Sequence, residues 1–143
     1  SQFFLLGAAL LEKMEEQPGK SGYFLILDVD HFKRINDQLG HPAGDMVLSE
    51  VAGSLKDVFR GKGLVGRLGG DEFVVLIHQP VSKNGLQDML KQFEEKLAEI
   101  DVAGNPVTCS IGIVPVWKES ILEESYRSAD GRLYRAKREK MDR

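Results

Sequence analysis

The chain has 143 residues and a mass of 15.9 kDa, with 42% hydrophobic and 29% charged residues, the size and mixture of one globular domain, which excludes a disordered or fibrous chain. Its 19 Lys and Arg against 22 Asp and Glu leave a net charge of −3, so no global basic field tracks a nucleic-acid backbone and any phosphate recognition must be local. A single cysteine, Cys109, and three scattered histidines exclude an internal disulfide and the usual structural zinc spacings, and suit a reducing cytosol.

The nearly apolar run at residues 3–11 is about half of the roughly 20 residues a membrane helix needs and has no basic flank, so neither a span nor a signal peptide is expected. Phe3, Leu6, Leu10, Leu11 and Met14 instead recur at helical spacing until Pro18-Gly19 stops them. Residues 23–30 (YFLILDVD) form a short apolar run ending in acids, which reads as a central strand. A short helix over residues 32–39 follows; Gly40 ends it and Pro42 opens a longer one, with Val47, Leu48, Val51, Leu55, Val58 and Phe59 on its apolar face. The break at Arg60-Gly-Lys-Gly63 leads into two strand-like segments, residues 64–68 and 73–78, on either side of Gly69-Gly70-Asp71-Glu72. Their closeness predicts a hairpin with the glycines at its tip.

Leu86, Met89, Leu90, Phe93, Leu97 and Ile100 keep helical spacing, Gly104-Asn105-Pro106 makes a turn, and residues 107–116 read as a strand. Ser120 with Glu123 predicts a capping box for a last helix with Leu122, Tyr126, Ala129, Leu133 and Ala136 on one face. No repeat or linker divides the chain, so residues 1–143 read as one domain. The order α-β-α-α-β-β-α-β-α contains a β-α-β-β-α-β core. The expected class is α+β, ferredoxin-like or polymerase-palm-like: a mostly antiparallel sheet flanked by helices. Such a fold does not decide function.

The chemistry is concentrated at the end of the central strand. Asp28 and Asp30 lie two residues apart and point to the same side, an unfavourable placement unless they are solvated, paired with a cation or coordinating one. The hairpin would bring Asp71 and Glu72 beside Asp28, so three carboxylates would share a corner. Hard oxygen ligands of this kind suit Mg²⁺ or Mn²⁺ with phosphate oxygens completing the shell. Lys33 and Arg67 are candidates for phosphates, and Asn36 and Asp45 for a base. A solvated strand end, a plain glycine turn and an acidic residue at a helix start are the competing readings of these positions. His41, before Pro42, orders the turn between two helices; His31, His78, Cys109 and Trp117 have no catalytic partner in sequence, and no nucleophilic triad is suggested.

Asp28-Val-Asp-His-Phe-Lys-Arg-Ile-Asn36-Asp37, Gly40-His41-Pro-Ala-Gly44-Asp45 and Arg67-Leu-Gly69-Gly70-Asp71-Glu72-Phe73 together resemble a GGDEF domain, the diguanylate cyclase family. Thr108-Cys-Ser110-Ile-Gly112-Ile and the stretch from Ala129-Asp130 to Ala136-Lys137 extend the resemblance over nearly all of the chain. It implies condensation of two GTP into cyclic di-GMP and pyrophosphate by metal-assisted nucleotidyl transfer, with the signature on the hairpin. Asp28, Asp71, the Val29 carbonyl and Glu72 would hold Mg²⁺ or Mn²⁺, and Asp28, Asp71 and Glu72 would be catalytic, Glu72 helping to activate the ribose 3′-hydroxyl. Phe32, Lys33, Arg67 and Lys137 would line the phosphate region. Asn36 and Asp45 would read the guanine edge, Gly69 and Gly70 would let the nucleotide lie against the hairpin, and His41 counts among the substrate-binding positions.

One GTP per protomer implies an active homodimer, served by an upstream sensory or dimerisation domain, in the cytoplasm, with no nucleic acid and no membrane contact by this domain. A membrane-anchored sensor could precede it. The chain departs from the family pattern in three places. The Asp-x-Leu-Thr segment that commonly precedes the first helix is missing, so the domain's N-terminal edge is expected to be truncated. The product-inhibition motif Arg-x-x-Asp reads Arg60-Gly-Lys-Gly63, a degenerate allosteric site. Arg-Glu-Lys-Met141 follows Lys137 where relatives often carry a Gly-Arg-Asn-like sequence. A catalytically silent GTP-binding regulatory module and a cyclic di-GMP receptor working through the Arg60 region are the alternatives to the enzyme.

Overall fold

A computed structural model describes residues 1–141; residues 142 and 143 of the expected domain lie outside the described residues. The elements run Gln2–Glu12 (α1), Ser21–Val29 (β1), Phe32–Leu39 (α2), His41–Phe59 (α3), Gly63–Gly69 (β2), Glu72–Val81 (β3), Lys83–Ala98 (α4), Asp101–Val102 (β4), Asn105–Pro106 (β5), Cys109–Val116 (β6) and Leu122–Met141 (α5). The main sheet has four strands in the order β2-β3-β1-β6, every neighbouring pair antiparallel. This is the α+β, palm-like arrangement that the order of sequence elements predicts.

β1 reads as a continuous apolar run because both of its faces are covered. Leu25, Leu27 and Val29 point into a core with Val47, Val51, Leu55 and Phe59 of α3 and Phe93 and Leu97 of α4. Phe24 and Ile26 point to the opposite face, where Leu11 of α1 and Leu122, Ala129 and Leu133 of α5 close a second core. Successive side chains of a strand alternate between faces, so Asp28 falls on the α1/α5 side. That face brings the acid under α5.

α5 lies unusually close to β6. A methyl group on Gly112 would stand 2.0 Å from the Ala129 carbonyl oxygen and 2.5 Å from the Leu133 nitrogen, so only a residue without a side chain permits the approach. At the other end of the sheet, Gly69 pairs with Glu72 past a register shift, leaving Gly70 and Asp71 at the hairpin tip. Gly70 has φ +42° and Gly69 φ +149°, backbone angles that disfavour a side chain. Open space surrounds the positions where their Cβ atoms would be.

The structure corrects the sequence expectation in two places. Residues 107 and 108 are not part of the last strand, which starts at Cys109, and the single expected turn at 104–106 is a small hairpin of β4 and β5. Ala103 (φ +50°) and Gly104 (φ +79°) both adopt left-handed angles, as a two-residue hairpin turn of the primed kind demands, and the Gly104 N–H donates to Asp101 Oδ1 at 3.1 Å. The expected Ser120–Glu123 capping box is replaced by a turn: the Ser120 hydroxyl accepts from the Trp117 N–H at 2.8 Å, and α5 starts at Leu122.

Candidate active site

The register places Asp28 of β1 directly opposite Glu72 of β3. Like charges at directly opposed sheet positions repel, and α5 supplies a compensating group to each. Lys137 Nζ forms an ion pair with Asp28 Oδ2, and the Tyr126 hydroxyl donates to Glu72 Oε1 at 2.7 Å. Tyr126 and Lys137 stand about three helical turns apart and so share a face of α5. The bond to Glu72, then burial, push the Tyr126 hydroxyl up to about 12, so it remains a donor at any working pH.

Asp28 is 7% exposed and its Oδ1 is buried with no hydrogen-bond partner. Burial pushes its carboxyl above the usual range; Lys137 opposes that rise, and the nearby Asp71 and Asp30 charges add to it. A carboxylate kept short of one partner is costly, and the cost falls away when a cation meets the vacant oxygen. Asp28, Val29 and Asp71 line one cavity of about 310 Å³ with Phe32, Lys33, Lys137 and Lys140. Two carboxylates, one of them with an orphaned buried oxygen, and a strand-end carbonyl are the hard oxygen donors that fit Mg²⁺ or Mn²⁺. Glu72 does not line this cavity; its carboxylate is turned to Tyr126. Among the described residues no three His, Cys, Asp or Glu side chains come together as a metal cluster, so the three-carboxylate corner expected from the sequence is divided into Asp28 and Asp71 on one side and Glu72 on the other.

Asp30 differs in kind from Asp28, although both border the cavity. Its carboxylate accepts from the Thr108 hydroxyl (2.6 Å), the Ser110 hydroxyl (2.6 Å) and Lys140 Nζ (2.7 Å), and its N–H donates to the Thr108 carbonyl at 2.8 Å. Burial works to raise its carboxyl, but the bonds from Lys140, Ser110 and Thr108 outweigh burial and hold it below the ordinary range. Lys140 Nζ also donates to the Cys109 carbonyl at 2.8 Å. Asp30 is therefore a fully partnered strut that ties the end of α5 to β1 and β6.

The other expected residues fall into separate neighbourhoods. Arg67 donates from Nε to the Gly70 carbonyl at 2.8 Å, bracing the hairpin. It lines a second cavity of about 440 Å³ with Asp45, Ser49, Lys56 and Phe73, between α3 and β2, and does not border the cavity of Lys33 and Lys137. Asn36 packs against Gly44, where a methyl group would stand 1.9 Å from Asn36 Oδ1. That oxygen is buried and without a partner, a second orphaned acceptor, against Gly44, the residue before Asp45. His41 is exposed in the first turn of α3. Arg60 pairs with Asp57 at 3.4 Å on the surface, and Asp57 is also 3.7 Å from Lys96. Cys109 is held up at about 12, chiefly by burial and then by Asp30, and is an inert thiol.

Sequence reasoning missed Tyr126, Thr108, Ser110 and Lys140 as partners of the acids. Tyr126 was indistinguishable from a core residue on the apolar face of its helix. Lys137 and Lys140, three residues apart, carried a weak signal, since residues at that spacing share a helix face.

Comparison with known proteins gives a consistent set. The family described as diguanylate cyclase, GGDEF domain, matches residues 3–143. The chain is 39% identical over 146 aligned positions to the diguanylate cyclase DgcP of Pseudomonas aeruginosa, covering 95% of this chain and 22% of that protein. The diguanylate cyclase SiaD of Pseudomonas aeruginosa, solved in complex with its activator SiaC, superposes with a TM-score of 0.81 at 28% identity, over 96% of this chain and 54% of that one. A sensory box/GGDEF family protein from Caulobacter crescentus gives 0.77 at 31% identity, over 96% of this chain and 92% of that one.

Proposed function

Since the chain belongs to the diguanylate cyclase GGDEF domain family, we propose that it condenses two GTP molecules into cyclic di-GMP with release of two pyrophosphates, as one half of a homodimer. The observation that carries the reading is the buried, unpartnered Oδ1 of Asp28, a residue that lines one cavity with Asp71, Val29 and three lysines beside a glycine hairpin. That combination suits a cation with a triphosphate and has little purpose in a plain sheet corner.

Asp28, Asp71 and the Val29 carbonyl would hold Mg²⁺ or Mn²⁺, with Glu72, opposite Asp28 on the adjoining strand, as a further oxygen donor. The ion supplies charge stabilisation to the transferring phosphoryl group and its leaving pyrophosphate. Lys33 and Lys137 stand at the same cavity as cations for the phosphates, with Phe32 at its wall. The Lys137 ammonium neutralises Asp28 while no nucleotide is present. Glu72 accepts the proton of the ribose 3′-hydroxyl. Asn36 and Asp45 supply acceptors for the donors on the guanine edge, which favours GTP over ATP, because adenine leaves a buried acceptor unpaired. Gly69 and Gly70 leave open space above the hairpin for the nucleotide, and Arg67 braces their turn.

A single protomer holds one nucleotide and one set of these residues. Attack by each 3′-hydroxyl on the other nucleotide requires two protomers facing each other about a two-fold axis. A dimerising or sensory segment outside this domain would control that approach, and GTP as substrate points to a cytoplasmic setting. No helix among the described residues is long and apolar enough to cross a membrane.

The test is a chromatographic assay of GTP with Mg²⁺, using the chain alone at high concentration and the chain fused to a dimerising coiled coil. Cyclic di-GMP from the dimerised protein supports the reading. GTP bound without turnover in both would replace it with a silent regulatory module.

A further inference from the structure

We infer that Tyr126 is a positioning residue for Glu72: its hydroxyl holds one carboxylate oxygen so that the other is presented to the reacting nucleotide. The inference rests on the diguanylate cyclase reading and adds to it a residue outside the signature. The bond takes Oε1 at 2.7 Å and leaves Oε2 outside that bond. The hydroxyl is itself fixed by a rigid surround. The Tyr126 ring makes edge contacts with Phe4 of α1 (6.0 Å, 69°) and Phe24 of β1 (6.4 Å, 79°), and those two rings stack on each other at 6.3 Å.

Phe24 is fully buried, so the donor is anchored to the core of the domain. Glu72, by contrast, follows a glycine tip with open space around it, and its side chain has three torsions to restrain. A carboxylate in that position gains its orientation from a partner that does not move. Lys137 does the corresponding work for Asp28 with a flexible, half-exposed side chain; Tyr126 does it for Glu72 with a locked one.

Outer partners of a metal-binding or reacting carboxylate typically contribute 10- to 100-fold to affinity or activity, and a neutral donor sits at the low end of that range. In the dimerised chain, Tyr126→Phe keeps the ring and its contacts and removes only the hydroxyl. The expected result is a fall in kcat of about tenfold with the KM for GTP within about twofold of wild type, and a melting temperature lower by no more than about 5 °C, the loss of one hydroxyl–carboxylate bond. A kcat within about twofold of wild type, a rise in kcat, or a loss carried by KM alone would overturn it. Mn²⁺ binding to both proteins, measured by calorimetry, provides a readout that needs no turnover. If wild type makes no cyclic di-GMP, the functional reading fails, and the Mn²⁺ affinity decides for Tyr126: at least about threefold weaker binding in Tyr126→Phe supports its role, and equal binding refutes it.

Discussion

Gly112→Ala tests whether the close approach of α5 to β6 is what holds the site together. The added methyl would stand 2.0 Å from the Ala129 carbonyl oxygen, 2.5 Å from the Leu133 nitrogen and 3.1 Å from the Ala129 carbonyl carbon. All three are backbone atoms, so no side-chain rotation relieves the contact. α5 must move off the sheet by about 1 Å or the strand must bend, an overpacking cost of about 1–3 kcal/mol. A domain of this length has about 7–20 kcal/mol of stability, so it still folds. The displaced helix carries Tyr126, Lys137 and Lys140, the partners of Glu72, Asp28 and Asp30. An error of about 1 Å in such placement costs on the order of 100-fold in rate. Urea unfolding and turnover of the same preparation read both effects. Gly53→Ala serves as the control: Gly53 lies in the middle of α3, exposed, with nothing within 4 Å of the added methyl, and should stabilise the protein by about 0.5–1 kcal/mol. A Gly112→Ala protein within about 0.5 kcal/mol of wild type and with undiminished turnover would refute the argument.

Three further predictions follow from single residues. Asp30→Asn should lower stability at pH 7 by about 1.5–3 kcal/mol, counting mainly the two hydroxyl bonds because Lys140 is half-exposed. Because the folded carboxyl of Asp30 is held below its ordinary value of 3.8, its contribution is present above that value and is lost as pH falls through the folded one; the stability difference between the two proteins in urea melts should be smaller at pH 3 than at pH 7. Cys109, pushed up to about 12, should react with iodoacetamide at pH 8 at least about 100-fold more slowly than a free thiol in the native protein, and at the ordinary rate in urea. Gly70→Ala places a side chain at φ +42° and should cost about 1–2 kcal/mol of hairpin stability, seen as faster amide exchange at the tip with the rest of the domain protected.

The periodicities gave the architecture because both cores are filled by residues whose spacing is set by geometry. The run YFLIL, residues 23–27, is apolar throughout since β1 is covered on both sides, and the helical stripe from Val47 to Phe59 faces one core only. What the periodicities did not give is local and depends on backbone angles or on long-range bonds. Ala103 is an unusual residue for a left-handed turn, so the β4–β5 hairpin was hidden. Ser120 looked like a cap because the pattern Ser-x-x-Glu is indifferent to whether the hydroxyl bonds forward or back to Trp117. At the site, the signature and its spacing located the corner, and Asp28, Asp71, Val29, Lys33 and Lys137 do share a cavity. The separate fates of Asp28 and Asp30 were not readable from two acids at alternate positions. They are decided by Thr108, Ser110 and Lys140, which are distant in the chain.

The most direct test of the central claim is the yield of cyclic di-GMP from GTP and Mg²⁺ by the dimerised chain and by its Asp71→Asn variant at equal concentration, with thermal melting to show that both are folded. The account predicts product from the first and none from the second, since Asp71 lines the cavity with Asp28, and Asp30, the other acid there, is fully taken up by Thr108, Ser110 and Lys140. Product from Asp71→Asn at the wild-type rate, or none from the dimerised wild type, would contradict it.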